Sequence, residues 1–395
     1  MASVVPLGGN KGMKDLRVLI FSATYGAGHV RAAEAISEAM HASMPGIEII
    51  HLDFGEFLGK TINKVIKNTY IEVIKHTPKL WGKFYYRTAK IPPHSVFQRF
   101  LNGLGRREFL QYIHSVRPDL IVCTYPTVAG VLSELRLRNV LDIPLVTVVT
   151  DYAVHSQWIH PGVDLYIVGC TDVADGLMKR GIDRAKIQVT GIPVHPRFEK
   201  IFDRNRLRAG LKLKPEVPTV LVMGGAYGVL GGAKRLCKFL ADYPGQVQSL
   251  VVCGQDDRLY KSLETVVQGA KNTMVRFRFV TNVEELMSAS DIVVSKAGGL
   301  TVSEALTKRL PILVLKPIPG QEEENAAFLE RVGAGRIAET EEELEWILQE
   351  LLANLTELEE MRRAAANVLP GRAAERAVQY MLGLTKTGQE NQKIG

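Results

Sequence analysis

Short apolar runs recur along the chain, each closed by a glycine or a polar turn and followed by residues with apolar positions at helical spacing. RVLIFSA (17–23) passes through a Gly-containing turn into the Ala-rich HVRAAEAISEAMHASM, which reads as strand, turn and helix. GIEIIHLD (46–53), DLIVCTYP (119–126), IPLVTVVTD (143–151), DLYIVG (164–169) and KIQVTG (186–191) read as further strands. Strands that alternate with helical segments predict parallel βαβ units in a doubly wound α/β sheet.

After Gly191 the pattern breaks. HPRFEKIFDRNRLRAGLKLKPEVP (195–218) is polar, basic and strand-free, as expected of an interdomain connection. The alternation then restarts with TVLVMGG (219–225), QSLVVCG (248–254), MVRFRFV (274–280), DIVVSKAGG (291–299) and PILVLKP (311–317). This predicts two doubly wound, Rossmann-like domains, 1–195 and 196–370, with a C-terminal helix at about 371–385 packing back on the first. Two such domains facing each other leave a central cleft at the carboxyl ends of their strands, where open α/β sheets bind ligands.

Composition supports this division. The chain has 395 residues, and single cores stop growing near ~250–300 residues. Hydrophobic residues at 46% and charged residues at 23% exclude wholesale disorder. The first fifteen residues lack an apolar stretch and read as a frayed tail, and no apolar run is long enough to cross a bilayer. The four cysteines (Cys123, Cys170, Cys237, Cys253) lie inside apolar runs and are expected to be reduced core residues of a cytosolic protein.

Charge changes the picture further. Residues 51–110 hold eleven Lys/Arg against four acids, which accounts for the whole net charge of +7. Within that block, PKLWGKFYYRTAK (78–90) interleaves Trp81, Phe84, Tyr85 and Tyr86 with Lys79, Lys83, Arg87 and Lys90. Such a mixture suits the headgroup boundary of an anionic membrane. It would also stack on single-stranded nucleic acid, or form a solvated helix face.

The richest candidate chemistry lies in SKAGGLTVSEALTKRLPILVLKPIPGQEEENAAF (295–328). Gly298 and Gly299 let backbone approach a ligand, and Leu300–Thr301 open a helix whose N-terminus suits a diphosphate. Glu304, one turn further in, is placed to accept hydrogen bonds from ribose hydroxyls. Gln321, Glu322 and Asn325 follow the next strand, and their carboxylate and amide groups suit sugar hydroxyls. A glycine turn alone says little; the turn, the glutamate at fixed offset and PGQE-x-x-N together say much more.

This pattern resembles the donor-binding half of family 28 glycosyltransferases, in particular the branch of monogalactosyldiacylglycerol synthases and processive diacylglycerol glucosyltransferases. SATYGAGHVRAAEAI (22–36), YPTVAG (125–130), VTDYAVHSQWIHPGVDLYIV (149–168), TGIPVHPRF (190–198) and MGGAYGVLGG (223–232) extend the resemblance over nearly the whole chain. It implies a GT-B fold, a UDP-sugar donor and a diacylglycerol-type acceptor. By position it implies Gly224, Gly225 and Ala226 along the nucleotide, and Val280 meeting uracil through its backbone. It also implies Gly298, Gly299, Leu300 and Thr301 on the diphosphate, Glu304 on the ribose, and Gln321 and Glu322 on the donor sugar. His195 falls where the peptidoglycan relative has an arginine near the phosphates.

Sugar transfer needs a general base for the acceptor hydroxyl. His29, at a helix start on the cleft rim, and Asp151, at the end of the VTVVTD strand, are the candidates; the aspartate regarded as the base in the plant synthases is replaced here by Ala23. His155 and Trp158 are candidate acceptor-site residues. His155 and His160 are badly spaced for a shared metal, and no Asp-x-Asp occurs, so neither a metal nor another cofactor is expected. The expectation is an inverting, metal-independent hexosyltransferase, peripheral on the cytoplasmic face of a membrane, making a β-glycosyl diacylglycerol. The rivals are GlcNAc transfer to another lipid, a UDP-sugar 2-epimerase of similar fold, and a nucleic-acid-binding protein. No nucleic-acid-binding module is recognised.

Overall fold

The computed structural model describes residues 16–24, 27–58, 77–88, 106–224 and 232–385. In the N-terminal half, β1 (Arg17–Ser22), β2 (Glu48–Asp53), β3 (Leu120–Cys123), β4 (Leu145–Val148), β5 (Leu165–Val168) and β6 (Ile187–Val189) form one parallel sheet in the order 2-1-3-4-5-6. Its helices are α1 (Ala27–Ser43), α2 (Pro78–Thr88), α3 (Arg106–Val116), α4 (Pro126–Leu137) and α5 (Thr171–Met178). Every residue of β3, β4 and β5 is buried. That is why these strands read as continuous apolar runs: helices cover both faces of the sheet.

In the C-terminal half, β7 (Thr219–Met223), β8 (Gln248–Val252), β9 (Thr273–Phe277), β10 (Ile292–Ser295), β11 (Ile312–Leu315) and β12 (Gly335–Ala338) form a second parallel sheet, in the order 12-11-10-7-8-9. The helices here are α6 (Arg204–Gly210), α7 (Ala233–Asp242), α8 (Asp257–Ser262), α9 (Glu264–Gln268) and α10 (Val283–Ala289). They are followed by α11 (Gly299–Thr307), α12 (Gln321–Arg331), α13 (Glu341–Ala353), α14 (Leu355–Val368) and α15 (Ala373–Leu382). Strand β12 is absent from the sequence reading. It is four residues long, half-buried in the middle, and carries Arg336, so no apolar run marks it.

The order of each sheet fixes where ligands go. Strand order reverses between β1 and β3 in one sheet and between β7 and β10 in the other. These are topological switch points, and their carboxyl ends carry Ser22, Cys123, Met223 and Ser295.

One buried cluster runs through both halves, from Phe21 and Trp158 to Leu300 and Phe328. At the junction Tyr152 stacks on Phe328 with ring centroids 4.3 Å apart, and its hydroxyl lies 2.8 Å from Ser303 Oγ. A second cluster joins α15 to the first sheet. Ala374, Ala377, Val378 and Met381 pack among Ala35, Ile36, Ala39 and Met40 of α1 and the apolar face of β1. The alanines among them let the two helices lie close together.

Candidate active site

The α11 turn is built for close approach. A Cβ on Gly299 would stand 2.1 Å from the Thr150 carbonyl oxygen and 3.3 Å from Asp151 Cα. The end of β4 therefore lies directly on the N-terminus of α11, and a side chain at Gly299 would push the halves apart. Leu300 is buried, Thr301 half-buried, and Gly298 caps the helix.

Glu304 sits behind this turn, 3% exposed. Arg31 of α1 approaches to 3.5 Å from its Oε1, while Oε2 is buried without a hydrogen-bond partner among the described residues. Burial pushes the carboxyl up to about 7, against the opposing pull of Arg31 and Arg197. Arg197 itself pairs with Glu284 at 3.3 Å. His195 is half-buried beside it and accepts a hydrogen bond from Arg197 N (3.2 Å); burial and the Arg197 charge keep its imidazole below the usual range.

The loop after β11 forms the next wall. Gly320 has φ +105°, a left-handed conformation that favours glycine, and a Cβ there would come within 3.0 Å of the Tyr85 ring. Gln321 Nε2 donates to Asp151 Oδ2 at 3.1 Å, so a residue expected on the donor sugar also spans the cleft. Glu322 accepts from Ile318 N at 3.3 Å, and burial raises its carboxyl against the pull of Lys296. Asn325 departs from the expectation that it faces sugar hydroxyls. Its Oδ1 accepts from Tyr152 N (2.8 Å) and its Nδ2 donates to Ala297 O (3.0 Å). A buried amide must fill both ends, so Asn325 clamps the two halves together.

On the N-terminal side, His29 lies in the first turn of α1. Its Nδ1 is 2.7 Å from the Thr124 carbonyl oxygen and 3.0 Å from Thr150 Oγ1. A carbonyl can only accept, so Nδ1 carries the proton in the neutral ring and Nε2 keeps a free lone pair. The ring is held edge-on to Tyr125 (5.2 Å) and tilted over Trp158 (6.3 Å). Burial pushes His29 down to about 4. Asp151 is buried and moves the other way, up to about 6, with Asn325, Gln321 and Trp158 resisting through hydrogen bonds. Both groups can therefore accept a proton at neutral pH. Asp151 is already engaged by three donors, whereas His29 Nε2 has no partner among the described residues.

The acceptor set divides. Helix α2 presents Leu80, Lys83, Phe84 and Arg87 outward, with Leu80 61% and Phe84 51% exposed. Trp81 is half-buried, its ring centroid 5.8 Å from that of Phe84. Tyr85 turns inward, because consecutive helical residues are ~100° apart and cannot share one face. It is buried against His155 (4.6 Å between ring centroids), whose Nε2 lies 3.0 Å from Tyr85 O. Tyr86 donates to Glu323 Oε2 (2.8 Å), and a Cβ on Gly82 would come 2.4 Å from Pro319. Thus α2 rests on the α12 loop of the other half. Tyr85 and His155 belong to that buried seam, so Tyr85 departs from the membrane-facing set the sequence placed it in, whereas Trp158 is buried beside His29 and Asp151.

Gly224 directly follows β7, and Val280, half-buried, follows β9. Gly225, Ala226, Lys90 and most of the basic block 51–110 lie outside the described residues. The sequence reading missed Arg31, Thr150, Tyr125 and Tyr152. Of these only Tyr125, next to the β3 terminus, carried a local signal; the others matter through partners more than a hundred positions away.

Two doubly wound halves meeting at their strand carboxyl ends define a GT-B fold. Acinetobacter baumannii MurG superposes with a TM-score of 0.66 over 94% of this chain and all of that one, at 16% identity. A Staphylococcus aureus MnaA–UDP structure gives 0.59 over 93% and 96%, at 13% identity. Residues 29–194 match the family described as monogalactosyldiacylglycerol (MGDG) synthase, and residues 219–377 match the glycosyltransferase family 28 C-terminal domain. The processive diacylglycerol β-glucosyltransferase of Bacillus cytotoxicus is 32% identical over 372 residues, 94% of both chains. That of Bacillus licheniformis is 30% identical over 347 residues, 88% of this chain and 89% of the relative. The chain belongs to glycosyltransferase family 28, in its diacylglycerol glycosyltransferase branch.

Proposed function

We propose that this glycosyltransferase moves a hexose from a UDP-sugar to the free hydroxyl of diacylglycerol with inversion, giving a β-glycoside. The observation that carries this reading is the facing of two helix N-termini across the cleft: a Cβ on Gly28 would lie 3.8 Å from Leu300 Cβ. The diphosphate sits at the start of α11, where backbone N–H groups and the helix dipole take up the leaving charge without a metal. His29 lies in the same first turn of α1 as Gly28, and its Nε2, without a partner among the described residues, takes the acceptor proton. Glu304 Oε2 receives a ribose hydroxyl, and Gln321 and Glu322 meet the donor sugar.

The acceptor arrives from a lipid surface, and α2 is the element that meets it. Leu80 and Phe84 enter the headgroup boundary while Lys83 and Arg87 pair with anionic lipid on the cytoplasmic face. Among the described residues no helix is long and apolar enough to cross a membrane.

The test is purified protein with diacylglycerol vesicles and labelled UDP-glucose, UDP-galactose and UDP-GlcNAc, with products resolved by chromatography. The reading expects a glycosyl diacylglycerol, with UDP-glucose preferred as the named activity of the relatives suggests. Free hexose, or an epimerised UDP-sugar without any lipid product, would overturn it.

A further inference from the structure

Glu304 is an unusual carboxylate. It is almost wholly buried, one oxygen faces a cation from the other half of the molecule, and the other oxygen has no hydrogen-bond partner among the described residues. A buried charge of this kind persists only beside a counter-charge, and a buried acceptor without a donor marks where a ligand hydroxyl fits. We propose that Arg31 is a positioning residue for the nucleoside-diphosphate donor: from α1 its guanidinium occupies Glu304 Oε1 across the cleft, leaving Oε2 alone for a ribose hydroxyl. This rests on the reading that Glu304 meets the ribose.

The charged groups facing Glu304 are few and come from three elements. Arg31 projects from α1, Arg197 from the turn Pro196–Glu199, and Glu284 from α10. Arg197 already has Glu284 at 3.3 Å, with His195 backed against it. Arg31 has Glu304 as its partner, 3.5 Å away. Its influence holds down a carboxyl that burial would otherwise raise further above the ordinary range. The donor pocket is therefore incomplete in the C-terminal half alone, because the acceptor half supplies the charge that orients its ribose ligand.

Calorimetry with UDP-glucose between pH 6 and 8 tests this on the full chain, since that donor has no group titrating in the interval. Wild-type affinity should fall as pH drops through about 7, where Glu304 gains its proton. In Arg31→Gln the same fall should move to higher pH, weakening binding at neutral pH roughly fivefold for the first unit of displacement and tenfold for each further unit. Arg31→Lys should restore most of the loss, Glu304→Gln should flatten this part of the profile, and Arg31→Gln should add little in the Glu304→Gln background. If Glu304→Ala binds like wild type, the ribose reading itself fails. If Glu304→Ala weakens binding while Arg31→Gln keeps both affinity and pH midpoint, or loses affinity equally at every pH, the inference about Arg31 is overturned alone.

Discussion

The two halves open onto the cleft with the same device, a strand ending in a turn and a helix whose N-terminus points inward, yet they fill the first helical turn differently. Helix α1 starts Ala27–Gly28–His29 and α11 starts Gly299–Leu300–Thr301. The first presents a titrating ring, the second only N–H groups and a hydroxyl. In the proposed reading, one switch point handles a proton and the other handles charge. Their packing differs as well. Gly28 has ordinary van der Waals room before Leu300, whereas Gly299 lies against backbone of the opposite half.

Substitution at the proton-handling end should have the largest effect. His29→Ala should lose ~10²–10⁴-fold in kcat while keeping UDP affinity, as removal of a general base does. If Asp151→Asn shows that loss and His29→Ala does not, the roles of the two residues are exchanged. Steady-state kinetics beside calorimetry separates these outcomes.

The glycine contrast comes next. Gly299→Ala forces a methyl onto the Thr150 carbonyl, which no rotamer change relieves, and should cost ~1–3 kcal/mol of stability. Gly28→Ala should leave stability unchanged or slightly raised, since alanine favours a helix by ~0.5–1 kcal/mol. Denaturant melts of the two variants side by side check this, and equal losses would remove the asymmetry.

Titration sharpens the same comparison. His29 is depressed from 6.5 to about 4. Its neutral form therefore contributes stability that is complete above its ordinary value and is lost as pH falls from 6.5 toward 4. Asp151 is raised from 3.8 to about 6. Its contribution runs the opposite way, complete below its ordinary value and lost as pH rises through 6. Thermal melts from pH 4 to 8 should show His29→Gln flattening the acid loss and Asp151→Asn flattening the loss toward neutrality.

The smallest effect lies on α2. Each cation near an anionic surface adds ~1 kcal/mol, so Lys83→Gln with Arg87→Gln should lower vesicle partitioning by at most ~2 kcal/mol, and only with anionic lipid. Co-sedimentation at graded lipid charge and salt measures it. UDP affinity should stay unchanged.

Much of this architecture was legible because it is local. Buried parallel strands announce themselves as apolar runs, and Gly298–Gly299 beside Glu304 is a short-range pattern. What stayed hidden depends on separation in the chain. Arg31 and Glu304 are 273 residues apart, and Gln321 and Asp151 are 170 apart. Asn325 misled for a related reason: an amide after a glycine turn looks ligand-facing until its buried partners, Tyr152 and Ala297, come into view. Tyr85 sits among exposed aromatics in the sequence, but the helical turn sends it inward.

The return of α15 has a consequence for how the molecule can be taken apart. The chain leaves the first half after Val194 and comes back before Ala373, and the two crossings touch. Arg372 N donates to Glu199 Oε1 at 2.8 Å, and a Cβ on Gly191 would lie 3.1 Å from Ala373 Cβ. A cut at either crossing thus cannot release two self-sufficient pieces, because the N-terminal sheet would lose the helix that covers β1 and α1. Two adjacent tethers also hold only one edge of the boundary, so the other edge depends on Tyr152 stacked on Phe328 and on Asn325 bridging Tyr152 and Ala297.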